Sequence, residues 1–135
     1  MSCVFCDIIQ RAKPAAFVLE SDAVLAFLDA RPLFKGHVLV VPREHLVTLS
    51  DVPPPMLSPL FAAVQRVAVA LERGLGAEGS FVGINNRVSQ SVAHLHVHVV
   101  PRTKGDGLRG FFWPRTKYDS ADEQEDYARR IAAAL

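Results

Sequence analysis

The 135-residue chain is sparing with several residue types, and each shortage rules something out. Cysteine occurs only at Cys3 and Cys6, a pair too close together and too few for the disulfide framework of a small secreted scaffold. Neither sign of charge is in excess: 15 basic residues face 14 acidic ones, for a net charge of +1. That balance gives no signal of the kind expected from a basic protein that binds nucleic-acid polymers, so no such partner is expected. No uninterrupted apolar run reaches the roughly 18 residues of a membrane span. A basic region followed by an apolar one is missing at the N-terminus, so a cytoplasmic location is expected, with no membrane partner. Repeats and low-complexity segments are also lacking. From residue 79 to residue 105 there is no Asp or Glu.

What is present is ordinary for a globular domain: 50% hydrophobic and 21% charged residues, enough for one core in one domain spanning 1–135. Residues 102–135 form a C-terminal extension of this domain. Cys3–Ile9 is a C-x-x-C leading into a short apolar helical turn that stops near Pro14. By itself this motif is ambiguous between a redox dithiol and half of a metal site. Phe17–Glu20 and Val24–Asp29 form a hairpin around Ser21–Asp22, and Ala30–Gly36 is a loop. His37–Val41 is a strand apolar enough to be buried on both faces. After the prolines of 51–59, an amphipathic helix is expected with Ser58 as its cap and Pro59 at its first position. Phe81–Asn85 and Val92–Val100 read as an antiparallel pair of strands. Phe111–Trp113 is a compact aromatic patch, and a final helix starts at about Ala121, capped by Ser120 and Glu123. The fold class is therefore α+β: about five mostly antiparallel strands, one long helix and a C-terminal helix.

The stretch that carries chemistry is His94–Leu95–His96–Val97–His98–Val99–Val100. Side chains alternate across a strand, so the three imidazoles share one face while Leu95, Val97 and Val99 turn into the core. Two uses of such a row remain open. Three histidines can hold a catalytic metal with an open position, or one imidazole can attack a substrate while its neighbours orient it. Asn85, Asn86, Gln90 and Ser91 bring neutral hydrogen-bonding groups to the same end. With no carboxylate nearby to repel an anion, these groups favour a phosphorus substrate.

The row resembles the motif of the histidine triad family, zinc-containing bacterial-type branch, His-φ-His-φ-His-φ-φ with φ hydrophobic. The likeness extends to Cys3 and Cys6, Leu25–Asp29, Gly36–Val40, His45, Gln90–Val92 and Pro101–Arg102. The resemblance implies a nucleotide hydrolase or transferase that attacks the α-phosphorus of a nucleoside phosphoramidate or dinucleotide polyphosphate. The alternative is a nucleotide-binding regulator with negligible catalysis. It implies His96 as nucleophile, His98 and His37 as its catalytic partners, and Asn85, Gln90, Ser91 and His98 around the phosphate. It further implies Asp29 on the ribose, Phe5 and Phe27 as walls for the base, and structural Zn2+ on Cys3, Cys6, His45 and His94. The expected partners are a purine nucleotide, adenosine-containing, and a second copy of the chain in a homodimer. Two features depart from the family pattern: the 85–90 loop is short, and Ser89 stands where glycine is common.

Overall fold

A computed structural model describes residues 2–109 and 114–135; the Phe111–Trp113 patch lies outside the described residues. The elements are helix α1 (Val4–Ile9), strands β1 (Phe17–Glu20), β2 (Val24–Leu28) and β3 (Val38–Pro42), helix α2 (Pro54–Leu75), strands β4 (Gly79–Gly83) and β5 (Val97–Arg102), and helix α3 (Ala121–Ala133). A 3-10 turn at Leu49–Asp51 precedes α2. The five strands form one antiparallel sheet in the order β1-β2-β3-β5-β4, which is the expected α+β architecture.

Alternation sorts the sheet's side chains into two apolar layers. Val24, Ala26, Val38, Val40, Leu95, Val97 and Val99 face α2, which lays Leu60, Val64, Val67 and Leu71 against them. Leu25, Phe27, Leu39 and Val41 face the opposite way and are covered by Phe5 and Ile8 of α1. Both central strands are thus buried on two sides, the reason they read as unbroken apolar runs. At 22 residues, α2 has the length and composition of a membrane span. Its apolar stripe nonetheless packs on the sheet, and it is the core helix.

Several element boundaries differ from the sequence reading. Helix α2 begins at Pro54 rather than at Ser58–Pro59. The first helical N–H groups lack an intrahelical acceptor anyway, so Pro54 and Pro55 are tolerated there. Pro59 sits inside the helix, on its exposed side. Gly74 stays helical, and Gly76 makes the stop in the left-handed region at φ 71°. Strand β4 covers Gly79–Gly83, two residues earlier than expected at each end. Strand β5 begins at Val97 rather than Val92. Its pairing with β3 ends at Val40↔Val97, because the next partners are replaced: the His94 ring bonds the Pro42 carbonyl, and the Leu95 N–H bonds the Leu46 carbonyl. The segment keeps its alternation without being a strand.

Leu60 is completely buried between α2 and the sheet. Leu60→Ala should lower unfolding free energy by about 2–5 kcal/mol, through lost transfer energy and the cavity left behind. Urea denaturation would measure this, and a change below about 1 kcal/mol would mean that the α2 layer is not a tightly packed core.

Candidate functional site

The site has two centres that share one backbone segment. At the first, Cys3 caps the N-terminus of α1, its Sγ accepting from the Cys6 N–H at 3.4 Å. That cap brings both thiols to the end of the sheet where His94 and His45 lie. Cys3 Sγ is 3.5 Å from His94 Nδ1, Cys6 Sγ is 3.6 Å from His94 Nδ1 and 3.3 Å from His45 Nδ1, and the two imidazole nitrogens are 3.2 Å apart. A tetrahedral ion with Zn–S bonds of about 2.3 Å and Zn–N bonds of about 2.0–2.1 Å sets S···N edges of about 3.5 Å and N···N edges of about 3.3 Å. The four donors can therefore hold one metal ion, and two thiols with two imidazoles suit zinc.

His94 is prepared for that task. Its Nε2–H donates to the Pro42 carbonyl at 2.9 Å, which leaves the Nδ1 lone pair aimed at the thiols. Burial holds its pKa below the ordinary 6.5, so the ring is neutral at pH 7. Burial, followed by the neighbouring Cys3, pushes the Cys6 thiol up; a bound cation acts against that and favours the thiolate.

At the second centre, hydrogen bonds to groups of fixed polarity settle the protons. His96 Nδ1 lies 2.8 Å from the His94 carbonyl, which can only accept, so Nδ1 carries the proton. Nε2 is left as a bare lone pair with no hydrogen-bond partner among the described residues. The Leu33 N–H donates to His37 Nδ1 at 3.1 Å, so His37 carries its proton on Nε2 and donates it to His98 Nδ1 at 2.9 Å. His98 must then hold its own proton on Nε2. That atom is buried and unpartnered among the described residues, an N–H waiting for an acceptor. Burial first, then His96 and His37, lowers the His98 pKa from 6.5 to about 4. Burial lowers that of His37 as well, partly opposed by Asp29.

A cleft of about 650 Å³ opens beside these rings, lined by Asp29, His37, His98 and Asn85 among others. Its floor is the β4–β5 pair. There Gly83 stands opposite His98, and a Cβ on Gly83 would come within 2.7 Å of the Phe81 ring. Asp29 accepts from the Arg31 N–H at 2.9 Å, and its other oxygen is 3.8 Å from His37 Nδ1.

Of the residues singled out from sequence, the structure gathers Asp29, His37, Asn85 and His98 around the cleft, and Cys3, Cys6, His45 and His94 at the metal centre. His96, 3% exposed, is also outside the cleft's lining and lies between the two centres, its ring centroid 4.9 Å from that of His98 and 5.1 Å from that of Phe5. Others are placed differently. Phe5 and Phe27 are 6% and 2% exposed and meet edge to face, and Phe5 packs edge to face on His96; neither lines the cleft. The Gln90 side chain accepts from the Arg87 N–H and donates to the Val47 carbonyl at 2.6 Å, tying its loop to the segment before α2. Asn86 accepts from the Leu49 N–H, which leaves Asn85 as the asparagine at the cleft. Ser91 is exposed on the same loop. Ser89 has φ 60° and Arg87 φ 68°, so the backbone adopts a glycine-like conformation at the position where glycine is common. The sequence reading missed Arg31, Ser80, Phe81, Val82 and Arg102 on the cleft walls. The signal for the strand residues was the register of β4 against β5, hidden by the intervening loop.

A family model for the HIT domain matches residues 10–105. The chain belongs to the HIT family, within a superfamily of nucleotide-binding hydrolases and transferases. A crystal structure of a HIT family member from Bacillus subtilis is 35% identical and superposes with a TM-score of 0.89, covering 100% of this chain and 98% of that one. A Zn-bound histidine triad family protein from Mycobacterium smegmatis is 38% identical, with a TM-score of 0.76 and coverage of 100% and 99%. An adenylylsulfatase of Arabidopsis thaliana is 33% identical over 108 residues, 78% of this chain and 55% of that protein.

A histidine whose folded pKa is depressed contributes stability that is present above its unfolded value and is lost as pH falls through the folded one. His98 should therefore destabilise the fold as pH drops from 6.5 toward about 4. Comparing wild type with His98→Asn in urea titrations across that window isolates the effect. The variant should show the shallower decline, and parallel declines would contradict a depressed His98.

Proposed function

We propose that the chain is a nucleotide hydrolase or transferase in which His96 Nε2 attacks the α-phosphorus of a nucleoside phosphoramidate or dinucleotide polyphosphate. One observation carries this reading: the paired tautomers of His96 and His98. The first presents a bare lone pair, and the second, one strand step away, presents an unpartnered buried N–H. A nucleophile beside an anion-directed donor is what phosphoryl transfer needs.

In the first step, the His96 Nε2–P bond forms as the bond from phosphorus to the leaving amine or phosphate breaks. The His98 Nε2–H donates to a phosphate oxygen as charge builds, with His37 and Leu33 holding its tautomer. In the second step, water or another acceptor attacks phosphorus, the N–P bond breaks, and His96 recovers its lone pair. Asp29, at the mouth of the cleft, accepts the ribose hydroxyls, and Asn85 adds a neutral donor near the phosphate. The nucleotide is a purine nucleotide in this reading, adenosine-containing, with its base beyond Asp29. Zinc on Cys3, Cys6, His45 and His94 is structural: when bound, the ion clamps α1 to the start of the histidine segment. The sheet's edge strand β4 exposes Val82, which supports a homodimer through this edge.

Incubation with a labelled adenosine phosphoramidate, followed by acid-free denaturation and mass spectrometry, should trap a nucleotidyl adduct on His96. His96→Ala should lose the adduct and reduce turnover by at least about a thousandfold. Tight nucleotide binding with no adduct and no turnover in wild type would favour a regulator instead.

The metal assignment has its own check. Cys6→Ser should reduce bound zinc well below one equivalent and lower the Tm, read by elemental analysis and calorimetry. Full zinc retention in this variant would place the ion elsewhere.

A further inference from the structure

We propose that Asp29, His37 and His98 form a second metal site, one that takes a divalent transition ion of borderline softness such as zinc and excludes nucleotide when filled. Each of the three offers one donor atom, and the donors lie within 4.8 Å of one another. Two imidazoles and one carboxylate on one rim, with open positions toward a cleft, is a ligand set that binds such ions. It differs from the thiol-containing centre in having only nitrogen and oxygen donors. Thiolates take up the first equivalent of zinc, and the cleft receives the second, more weakly.

The geometry is near what an ion requires. His37 Nε2 and His98 Nδ1 are 2.9 Å apart with one proton between them, and Asp29 Oδ2 is 3.8 Å from the same His37 ring at Nδ1, the nitrogen that does not ligate. A tetrahedral ion needs the two nitrogens about 3.3 Å apart with both lone pairs converging on it, so the rings both separate and turn off their shared axis. His98 ligates through Nδ1 and keeps its proton on Nε2. His37 ligates through Nε2, and the proton it lent to His98 moves to Nδ1. Leu33 N–H, on an exposed loop, then exchanges its imidazole acceptor for water. No proton leaves the protein, and water completes the shell. Arg102 does not oppose the cation strongly, because Asp106 binds it at 2.6 Å and 3.0 Å. The exclusion of nucleotide rests on the reading above, since it removes Asp29 and His98 from the ribose and phosphate. Metal binding itself does not rest on it.

The test uses full-length protein carrying one equivalent of zinc, titrated with CoCl2 and followed by visible absorption and metal analysis after dialysis. A second equivalent should bind without the sulfur-to-cobalt charge-transfer band that thiolate ligands give. Asp29→Asn and His37→Gln should each weaken cobalt binding at least tenfold while keeping the first zinc, which shows that they are folded. AMP should weaken cobalt binding at least tenfold, and cobalt should weaken AMP binding equally. Absence of a second equivalent, unchanged binding in both variants, or a thiolate charge-transfer band would each overturn the site. Cobalt and AMP binding independently would overturn the exclusion. Failure of AMP to bind at all would overturn the exclusion and the nucleotide reading together, leaving the cobalt stoichiometry to decide the site.

Discussion

Everything at this site hangs on one fully buried imidazole, that of His94. Its Nε2–H closes onto the carbonyl of Pro42 where backbone pairing between β3 and β5 has stopped, so a side chain continues the sheet. Its Nδ1 faces Cys3, Cys6 and His45 and draws α1 onto the sheet's end. Its backbone carbonyl takes the Nδ1–H of His96 and thereby decides which nitrogen of that ring is free. A buried polar group in a low-dielectric interior must be satisfied, and satisfying this one fixes the backbone, the aim of His94 Nδ1 and the free nitrogen of His96 together. Phe5 adds the remaining constraint, packing edge to face on both His94 and His96.

The second centre is unusual in facing an expected anion without a committed cation at its heart. Burial and then His96 keep both His37 and His98 neutral, with His37 adding to the effect at His98, so the centre offers a directed N–H rather than a charge. A neutral donor also does not draw off the His96 lone pair as a neighbouring imidazolium would. The chain Leu33, His37, His98 begins at a backbone amide, which cannot reverse its polarity. The orientation of the proton is therefore built into the fold rather than left to pH.

The alternation of residues 94–99 was legible in the sequence because it depends only on the two-residue period of extended chain, and it holds even where no strand forms. The double burial of β3 was legible because both of its faces are apolar, which leaves an unbroken run rather than an alternation. The start of α2 was not, because local propensity marks proline as a breaker, whereas the free N–H groups of a first turn accept two of them. The metal centre could be reached only through resemblance: Cys3 and His94 are 91 residues apart, and no local pattern encodes a contact of that range. The roles of Asn86 and Gln90 were hidden too. Both tie the 85–90 loop to residues 47–49, and such tethers depend on a loop conformation that includes two left-handed residues, Arg87 and Ser89.

The location of the cleft follows from an imbalance in covering the sheet. One face is covered by α2, 22 residues long. Among the described residues the other has α1, six residues long, which shields the β2–β3 half with Phe5 and Ile8. The β5–β4 half of that face is left with His98, Val100, Gly83 and Phe81 as its floor. An uncovered half-face at the junction of two strands is where a ligand can lie flat against backbone. Gly83 opposite His98 keeps the surface low at the point where an N–H needs to meet its acceptor. The short α1 therefore leaves the cleft beside a buried side-chain N–H that lacks an acceptor among the described residues.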